Sequence, residues 1–427
     1  MGKSSTTTNA IYLYIVESTA FYPTAISAGF LAFAILILYL EGLGLTESIS
    51  AALPFVTLES ERTAEVILST VAAGLISLVV FTYTMVMIIL NRAATSYSPR
   101  VVPGLITQRS NQVILGFYLG TIVYSLVILV SIRPLGDGVT TQGTSVVFAV
   151  FFGIVSLGLF VYFIHSISKS VQVENIIERV HNTASRVMNS ELETRDFSNE
   201  PEMPDSSNWP ELRSPRSGYL QGLHERRLLP VLQRNDISLR FLAPFGSYVV
   251  KGAPYVKTSK PVESGSGLNQ LIDRSLIFHR EEHVEINYAL GFRQITEIAV
   301  ESISPALNDP GTAAKALDYL TNLFALRMKL PDTEYIVDTE SRVRIILERP
   351  SFKELLYRTL TPIREYGKKD MTIITRLLET LRTLMVLDTG AQIEALVDNA
   401  RMIAEDAQQH IENPVDRQQT NRIIKEL

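Results

Sequence analysis

Four long apolar segments constrain this chain more than any other feature of it. They run near Tyr22–Leu40, Glu65–Leu90, Val113–Ile132 and Val146–Ile167, and each approaches or exceeds the roughly 20 residues a helix needs to cross a bilayer. In a hydrocarbon core the backbone must satisfy its own hydrogen bonds, so such segments fold as helices. Hydrophobic residues make up 46% of the chain and charged ones 19%. A uniformly soluble protein would not combine these values; here the apolar residues gather in the first two-fifths. The second segment exceeds the minimum length, so it tilts or projects beyond the membrane.

The loops set the expected orientation. Glu41, Glu47, Glu59 and Glu61 lie between the first two spans with Arg62 as the cation, whereas Arg92, Arg100 and Arg109 lie between the second and third without an acid. The positive-inside rule places that second loop, and with it both termini, in the cytoplasm. Residues 1–20 lack a basic, small-residue cleavage pattern, so the first span is expected to remain as an anchor in the cell membrane.

No span carries a charge at its middle, which argues against ion-coupled transport, because such carriers place ionisable groups there. Small and hydroxyl side chains remain. On the second span Ser69, Ala73 and Ser77 form a small-xxx-small stripe, with Thr70, Gly74, Thr82 and Thr84 adding polarity. The plain reading is helix packing; the sharper one is a weakly polar pore, with Thr70, Ser77 and Thr84 as lining candidates. Gly116 and Gly120 form a GxxxG pattern on the third span that permits close helix contact. His165 reads as an interfacial hydrogen-bonder. At the membrane edge Tyr97, Ser98 and Arg100 are candidates for contact with a lipid phosphate or other anion, Arg being suited to that geometry. The plain alternative there is a Pro-ended helix with one snorkelling Arg.

Beyond the spans an amphipathic helix is expected over Ser168–Met188. Residues 181–216 read as a polar linker, acidic and Pro/Ser-rich over 190–216. Residues 217–262 read as a small β module whose cadence of short strands and glycine turns is similar to half of a biotinyl/lipoyl-like barrel. Lys251 stands in a pre-glycine turn and not at a Met-Lys hairpin tip, so no prosthetic group is assigned. Residues 263–427 are expected to be mainly helical, with a short hairpin at Tyr335–Val337 and Val343–Leu347.

Within that region lies the most unusual soluble stretch, Gly291–Ala313. Phe292, Ile295, Ile298, Ala299 and Ile303 recur at helical spacing and make one apolar face. Arg293, Glu297 and Glu301 occupy another, in an order that opposes the helix dipole. Pro305 ends the helix; Asp309 is placed to cap a new one, with Pro310 at its first position. Arg293, Glu297, Asn308 and Asp309 are therefore candidates either for a ligand site or for an interface.

His279-Arg-Glu-Glu-His283 has the H-x-x-E-H spacing of inverted zinc peptidases, which makes His279 and His283 nominal metal candidates. That geometry needs a helix, Leu271–Phe278 reads equally well as a strand, and no third ligand can be nominated, so solvent-exposed charge is the expected role. Cysteine is absent, which excludes disulfides, thiolate metal sites and cysteine nucleophiles. A net charge of −5 gives no reason to expect nucleic acid. No phosphate-binding glycine loop or nucleophile elbow occurs, so no cofactor or catalytic residue is assigned.

Several of these motifs together resemble a known family. Ser96-Tyr-Ser-Pro-Arg100, Leu115-Gly116 with Leu119-Gly120-Thr121, Phe163-Ile-His165, Ser217-Gly-Tyr-Leu-Gln221, and Gly291-Phe-Arg-Gln294 through Ser304-Pro305 to Asn308-Asp309-Pro310 with Thr312-Ala313 are similar to the prokaryotic membrane proteins grouped as domain of unknown function 2254. The resemblance covers nearly the whole chain. It departs from the family pattern at His279–Asn287, where the family tends to have Arg-Thr followed by Gln-Asp. It implies an architecture and the placement of sites, and carries no activity.

The expected fold is thus an α-helical membrane domain of four spans over residues 1–180, then an α+β cytoplasmic region with a small β module and a helical C-terminal domain. A homo-oligomeric channel with a cytoplasmic gating domain is the leading functional expectation, since four uncharged spans in one subunit enclose little. A membrane-anchored ligand sensor or enzyme and a non-conducting scaffold are the alternatives. Expected partners are membrane lipids, further copies of the chain and an unspecified small ion or ligand.

Overall fold

The computed structural model describes residues 20–43, 61–96, 109–132, 143–170, 172–194, 203–263, 265–279 and 284–425. The chain divides into two compact units, the first ending at Gln172 and the second running from Val173.

Among the described residues the first unit contains four helices long and apolar enough to cross a membrane: α1 (Phe21–Gly42), α2 (Glu61–Ser96), α3 (Arg109–Ser131) and α4 (Gly143–Ser170). The two glycines of the third span fix how α1 and α3 meet. A Cβ on Gly116 would stand 2.9 Å from Ile26 Cδ1 and 3.0 Å from Pro23 Cα, and one on Gly120 would stand 2.7 Å from the Phe30 ring. Without those hydrogen-only positions the helices could not approach so closely. Phe30, Phe33, Tyr124, Phe148 and Phe152 then make a chain of edge and stacked ring contacts linking α1, α3 and α4. At one end of the bundle Glu41 Oε1 accepts from the backbone N–H of Ser145 at 2.8 Å. This carboxylate satisfies one of the free amides in the first turn of α4. The Tyr124 hydroxyl donates to the Ser145 carbonyl at 2.9 Å.

Helix α2 presents Ala64, Leu68, Ala72, Leu75 and Thr82 to the rest of the bundle, all buried. Val79 and Val86 on the same face pack with Ile114, Tyr118 and Phe163.

The second unit is a mixed α/β body with a helical C-terminal part. It opens with α5 (Val173–Thr194), and its strands are β1 (Glu211–Arg213), β2 (Gly218–Leu223), β3 (Leu239–Phe241), β4 (Ser247–Val249), β5 (Pro254–Thr258), β6 (Leu276–His279), β7 (Thr333–Val337) and β8 (Val343–Glu348). A five-stranded sheet has the order β1-β5-β3-β8-β7 and a three-stranded sheet the order β4-β2-β6. Among the described residues every strand pairing is antiparallel except β3 with β8, where Leu239 lies opposite Ile345. Helices α6 (Glu225–Asn235) and α7 (Gly267–Ser275) close the core; Leu228, Leu232 and Ile272 pack with Leu239, Phe241, Val256 and Ile345.

The biotinyl/lipoyl-like half-barrel expected over 217–262 is not confirmed as one unit. The strands of that segment are shared between the two sheets, β2 and β4 in one, β3 and β5 in the other, and each sheet is completed by strands from outside it. Strands of three to six residues bury too little to stand alone, so they recruit β1, β6 and β8. The β7–β8 hairpin forms where alternation and the Asp338–Ser341 turn place it.

Helices α8 (Ala289–Ser302), α9 (Pro310–Arg327), α10 (Phe352–Gly367), α11 (Met371–Leu387), α12 (Ile393–His410) and α13 (Pro414–Lys425) complete the unit. Side-chain caps start several of them: Asp309 for α9, Ser351 for α10 and Asp370 for α11. Ile373, Ile374, Leu377, Leu381 and Leu384 of α11 are buried at the three- and four-residue spacing of an amphipathic helix. Helix α5 packs against α8 and α9.

Candidate functional site

Three places concentrate the candidate residues. The first is the outer face of α2. Thr70, Ser77 and Thr84 are all exposed within the membrane unit, and so are Thr63, Val66, Ala73, Val80 and Met87. Read in order, these eight positions alternate by three and four residues. At 3.6 residues per turn they fall about opposite the packed face that carries Leu68, Leu75 and Thr82. Gly74 beside them has nothing within 4 Å of where its Cβ would stand. The hydroxyls do not search for distant partners. Ser77 Oγ donates to the Ala73 carbonyl at 3.1 Å and Thr84 Oγ1 to the Val80 carbonyl at 2.8 Å, the back-bonding by which such residues are accommodated in membrane helices. His165 is exposed on α4.

The second place is Gly291–Ala313. Helix α8 is buried almost all round: Leu290, Gly291, Phe292, Gln294, Ile295, Thr296, Ile298 and Ala299. Only a strip with Arg293, Glu297, Val300 and Glu301 is partly open. Arg293 Nε stands 3.8 Å from Glu297 Oε1. Asp309 does not join that pair. Its carboxylate accepts from Thr312 N at 3.1 Å and from Thr312 Oγ1 at 2.7 Å, so it caps α9, and these bonds hold its carboxyl below the ordinary carboxylate value. Asn308 has a positive φ of 49°, a left-handed conformation that Asn tolerates better than most residues, and its N–H donates to the Ser304 carbonyl at 2.9 Å. The four residues thus form two separate groupings, one along α8 and one at the α8–α9 turn.

The third place was not apparent from sequence. Arg349, just past the end of β8, has a buried side chain. Its Nη2 donates to Glu191 Oε2 at 2.5 Å and to Glu334 Oε2 at 2.8 Å, and its Nε reaches Glu334 at 3.1 Å. Glu191 belongs to α5, Glu334 to β7 and Arg349 to the strand–helix junction, so one guanidinium ties three elements together. Arg327, 1% exposed, makes a similar tie: Nη1 to the Leu330 carbonyl, Nη2 to Asp332 and the Pro350 carbonyl. Tyr288 lies in the field of both cations and of Glu191 and Glu334; burial pushes its phenol up, against the pull of the two arginines. Its hydroxyl makes no hydrogen bond among the described residues. Glu191 and Arg349 are 158 positions apart, and nothing local in either segment marks them as partners.

Other markers acquire structural reasons. Gly291 sits where α5 crosses α8: a Cβ there would stand 2.7 Å from the Cβ of Ala184. Ser217 Oγ accepts from the Lys251 N–H at 2.9 Å, which uses Lys251 as a turn residue. Gly218 lies against the ring of Phe278, and Gln221 is fully buried. Tyr97, Ser98 and Arg100 lie outside the described residues, as do residues 280–283 of the H-x-x-E-H run with His283. His279 ends β6, a strand where a zinc helix would be required. Among the described residues no group of three or more His, Asp or Glu side chains is placed to hold a metal.

The comparisons with known proteins agree with the architecture. Two curated relatives are the uncharacterized proteins Mb1321c of Mycobacterium bovis and Rv1290c of Mycobacterium tuberculosis. Each is 26% identical over 350 residues, covering 79% of this chain and 65% of the relative. The chain therefore spans just under two-thirds of the length of these relatives. No solved structure matches. The pattern of predicted membrane proteins designated DUF2254 matches residues 16–383, and with four apolar helices at the positions described the chain is a membrane protein that belongs to the DUF2254 family.

Proposed function

We propose that the protein is a homo-oligomeric membrane pore in which the α2 helices of several copies line or border the path, with the C-terminal unit, on the cytoplasmic side, as its regulator. The observation that carries this reading is the exposed α2 stripe. Thr63, Thr70, Ser77 and Thr84 recur every seventh residue, with Val66, Ala73, Val80 and Met87 between them. A seven-residue repeat is the spacing that keeps one seam facing a partner helix, and small side chains at such a seam favour close approach in a bilayer. A seam of hydroxyls, of which Ser77 and Thr84 are bonded back to their own helix, offers an ion or small solute a weakly polar wall without fixed charge. Bulk lipid gives no reason for that periodicity.

The absence of native cysteine makes the test clean. Single cysteines at Thr70, Ser77 and Thr84 should cross-link between copies under mild oxidation, whereas cysteines at Ile76 or Tyr83, exposed but off the stripe, should react less. In proteoliposomes, water-soluble thiol reagents should change the conductance of the Ser77→Cys protein and leave the cysteine-free parent unaffected. Cross-linking with no conductance under voltage, tension or pH change would leave a scaffold; no cross-linking at any stripe position would remove the oligomer itself.

A further inference from the structure

One wall of the C-terminal unit holds a cleft of about 500 Å³, within the range of small-molecule sites. Arg240, Lys257 and Arg349 line it together with Ser206, Leu242 and Pro244. Two carboxylates, Glu348 and Glu354, also border it, but each already has its own cation. Arg240 Nη2 donates to Glu348 at 2.7 Å while Nη1 donates to Ser206 Oγ at 2.7 Å. Arg358 pairs with Glu354 at 2.5 Å.

Lys257 is different. Its ammonium donates to the neutral Ser207 carbonyl at 3.1 Å, and among the described residues no carboxylate lies within ion-pair distance. Asp205 feels its charge, yet that carboxylate is taken up by the N–H and hydroxyl of Ser207. Arg349 also lines the cleft, with its charge shared by Glu191 and Glu334. Its side chain is 6% exposed, Nε and Nη2 are spent on Glu191 and Glu334, and Nη1 is buried with no hydrogen-bond partner. A guanidinium carries five donors in a fixed fork, and a buried one with an idle nitrogen is costly to maintain.

We infer that this cleft is a regulatory binding site for a small soluble anion, a phosphate or carboxylate bearing an apolar portion. The anionic group is taken by Lys257, beside the Arg349 side chain that also lines the cleft, and the apolar portion rests on Leu242 and Pro244. Charge-assisted contacts to such groups are the strongest hydrogen bonds these side chains make. Nη2 of Arg349 holds Glu191 on α5, the helix that directly follows α4 in the chain, so occupancy bears on the residue that anchors α5. What the ligand controls rests on the pore reading; that it binds does not.

The full chain purified in detergent is titrated with pyrophosphate, AMP, glycerol 3-phosphate and citrate at constant ionic strength, following thermal stability and heat of binding. At least one probe should raise the melting temperature saturably. Lys257→Ala should weaken that binding by about tenfold or more, the scale of one lost charge-assisted contact. Lys257→Arg should restore most of it, and Lys315→Ala, whose partner Glu174 lies outside the cleft lining, should leave it intact. Because Arg349 also supports the fold, Lys257 is the site of the deciding variants. The inference is overturned if no probe binds, or if Lys257→Ala binds as the parent does. Saturable, Lys257-dependent binding in a protein without conductance would sink the pore and keep the site; conductance without binding would do the reverse.

Discussion

Gly291 and Ala184 meet so closely that a Cβ on the glycine would stand 2.7 Å from that of the alanine. The contact lies where α5, the helix following the last span, crosses α8, the most buried helix of the second unit. Gly291 tolerates no side chain there, and Ala184, 0% exposed, is the smallest residue that still fills the other side.

Gly291→Ala should therefore destabilise the protein by about 1–3 kcal/mol, the usual cost of overpacking, and Gly291→Val by more. Gly267→Ala, with nothing within 4 Å of its Cβ position, is the control. Thermal unfolding of the detergent-purified chain measures the difference. Equal midpoints for Gly291→Ala and Gly267→Ala would mean that the helices slide apart at no cost.

The membrane unit offers a parallel case with a built-in rescue. Gly120→Ala drives a methyl group into the Phe30 ring and should also cost about 1–3 kcal/mol. Combining it with Phe30→Leu should be less damaging than the sum of the two single changes, because the sites touch and their energies couple. Simple additivity in thermal unfolding would place the strain elsewhere.

Arg349→Met removes the cation that Glu191 and Glu334 share. Breaking a buried pair from one side typically costs about 3–5 kcal/mol. The triple change Glu191→Gln, Glu334→Gln, Arg349→Met should recover much of that loss, since it leaves no uncompensated charge. Unfolding midpoints in denaturant decide it: a triple variant as unstable as Arg349→Met alone would mean that packing, and not charge, is what Arg349 supplies.

Asp309→Ala should cost about 1 kcal/mol at neutral pH, the ordinary worth of a lost helix cap. The sign of its pH dependence follows from the Thr312 hydrogen bonds that hold its carboxyl below the ordinary value. A group with a lowered folded-state pKa stabilises above its unfolded value, about 4, and loses that contribution as pH falls through the folded value. The gap between wild type and Asp309→Ala should be constant from pH 5 to 7 and narrow in more acidic solution. A gap that widens on acidification would refute the capping role.

The sequence disclosed what is encoded locally. The spans, the β7–β8 hairpin, the C-terminal helices and the Asp309–Pro310 helix start all follow from periodicity or turn chemistry within a few residues. The closeness of Gly116 and Gly120 to a neighbour was readable from their spacing; that the neighbour is α1 was not. What stayed hidden depends on pairing across distance. The strands of 217–262 looked like one module because each is short and turn-bounded, but short strands leave open which sheet they join. Glu191, at the edge of a stretch read as linker, has no local feature that points to Arg349. Arg293, Glu297, Asn308 and Asp309 sit together in sequence, yet a helix and a turn sort them into two groups.

The single parallel pairing in the large sheet, Leu239 against Ile345, has a consequence for how this chain is made. Strand β3 leaves the ribosome about a hundred residues before its partner, while all four spans have emerged earlier still. Insertion into the bilayer can therefore finish while the edge of β3 remains open. An open strand edge invites pairing with other chains, and long-range parallel pairings close slowly. Translation that pauses between these strands should favour aggregation at the membrane surface, and the vulnerable interval ends only when β8 is delivered.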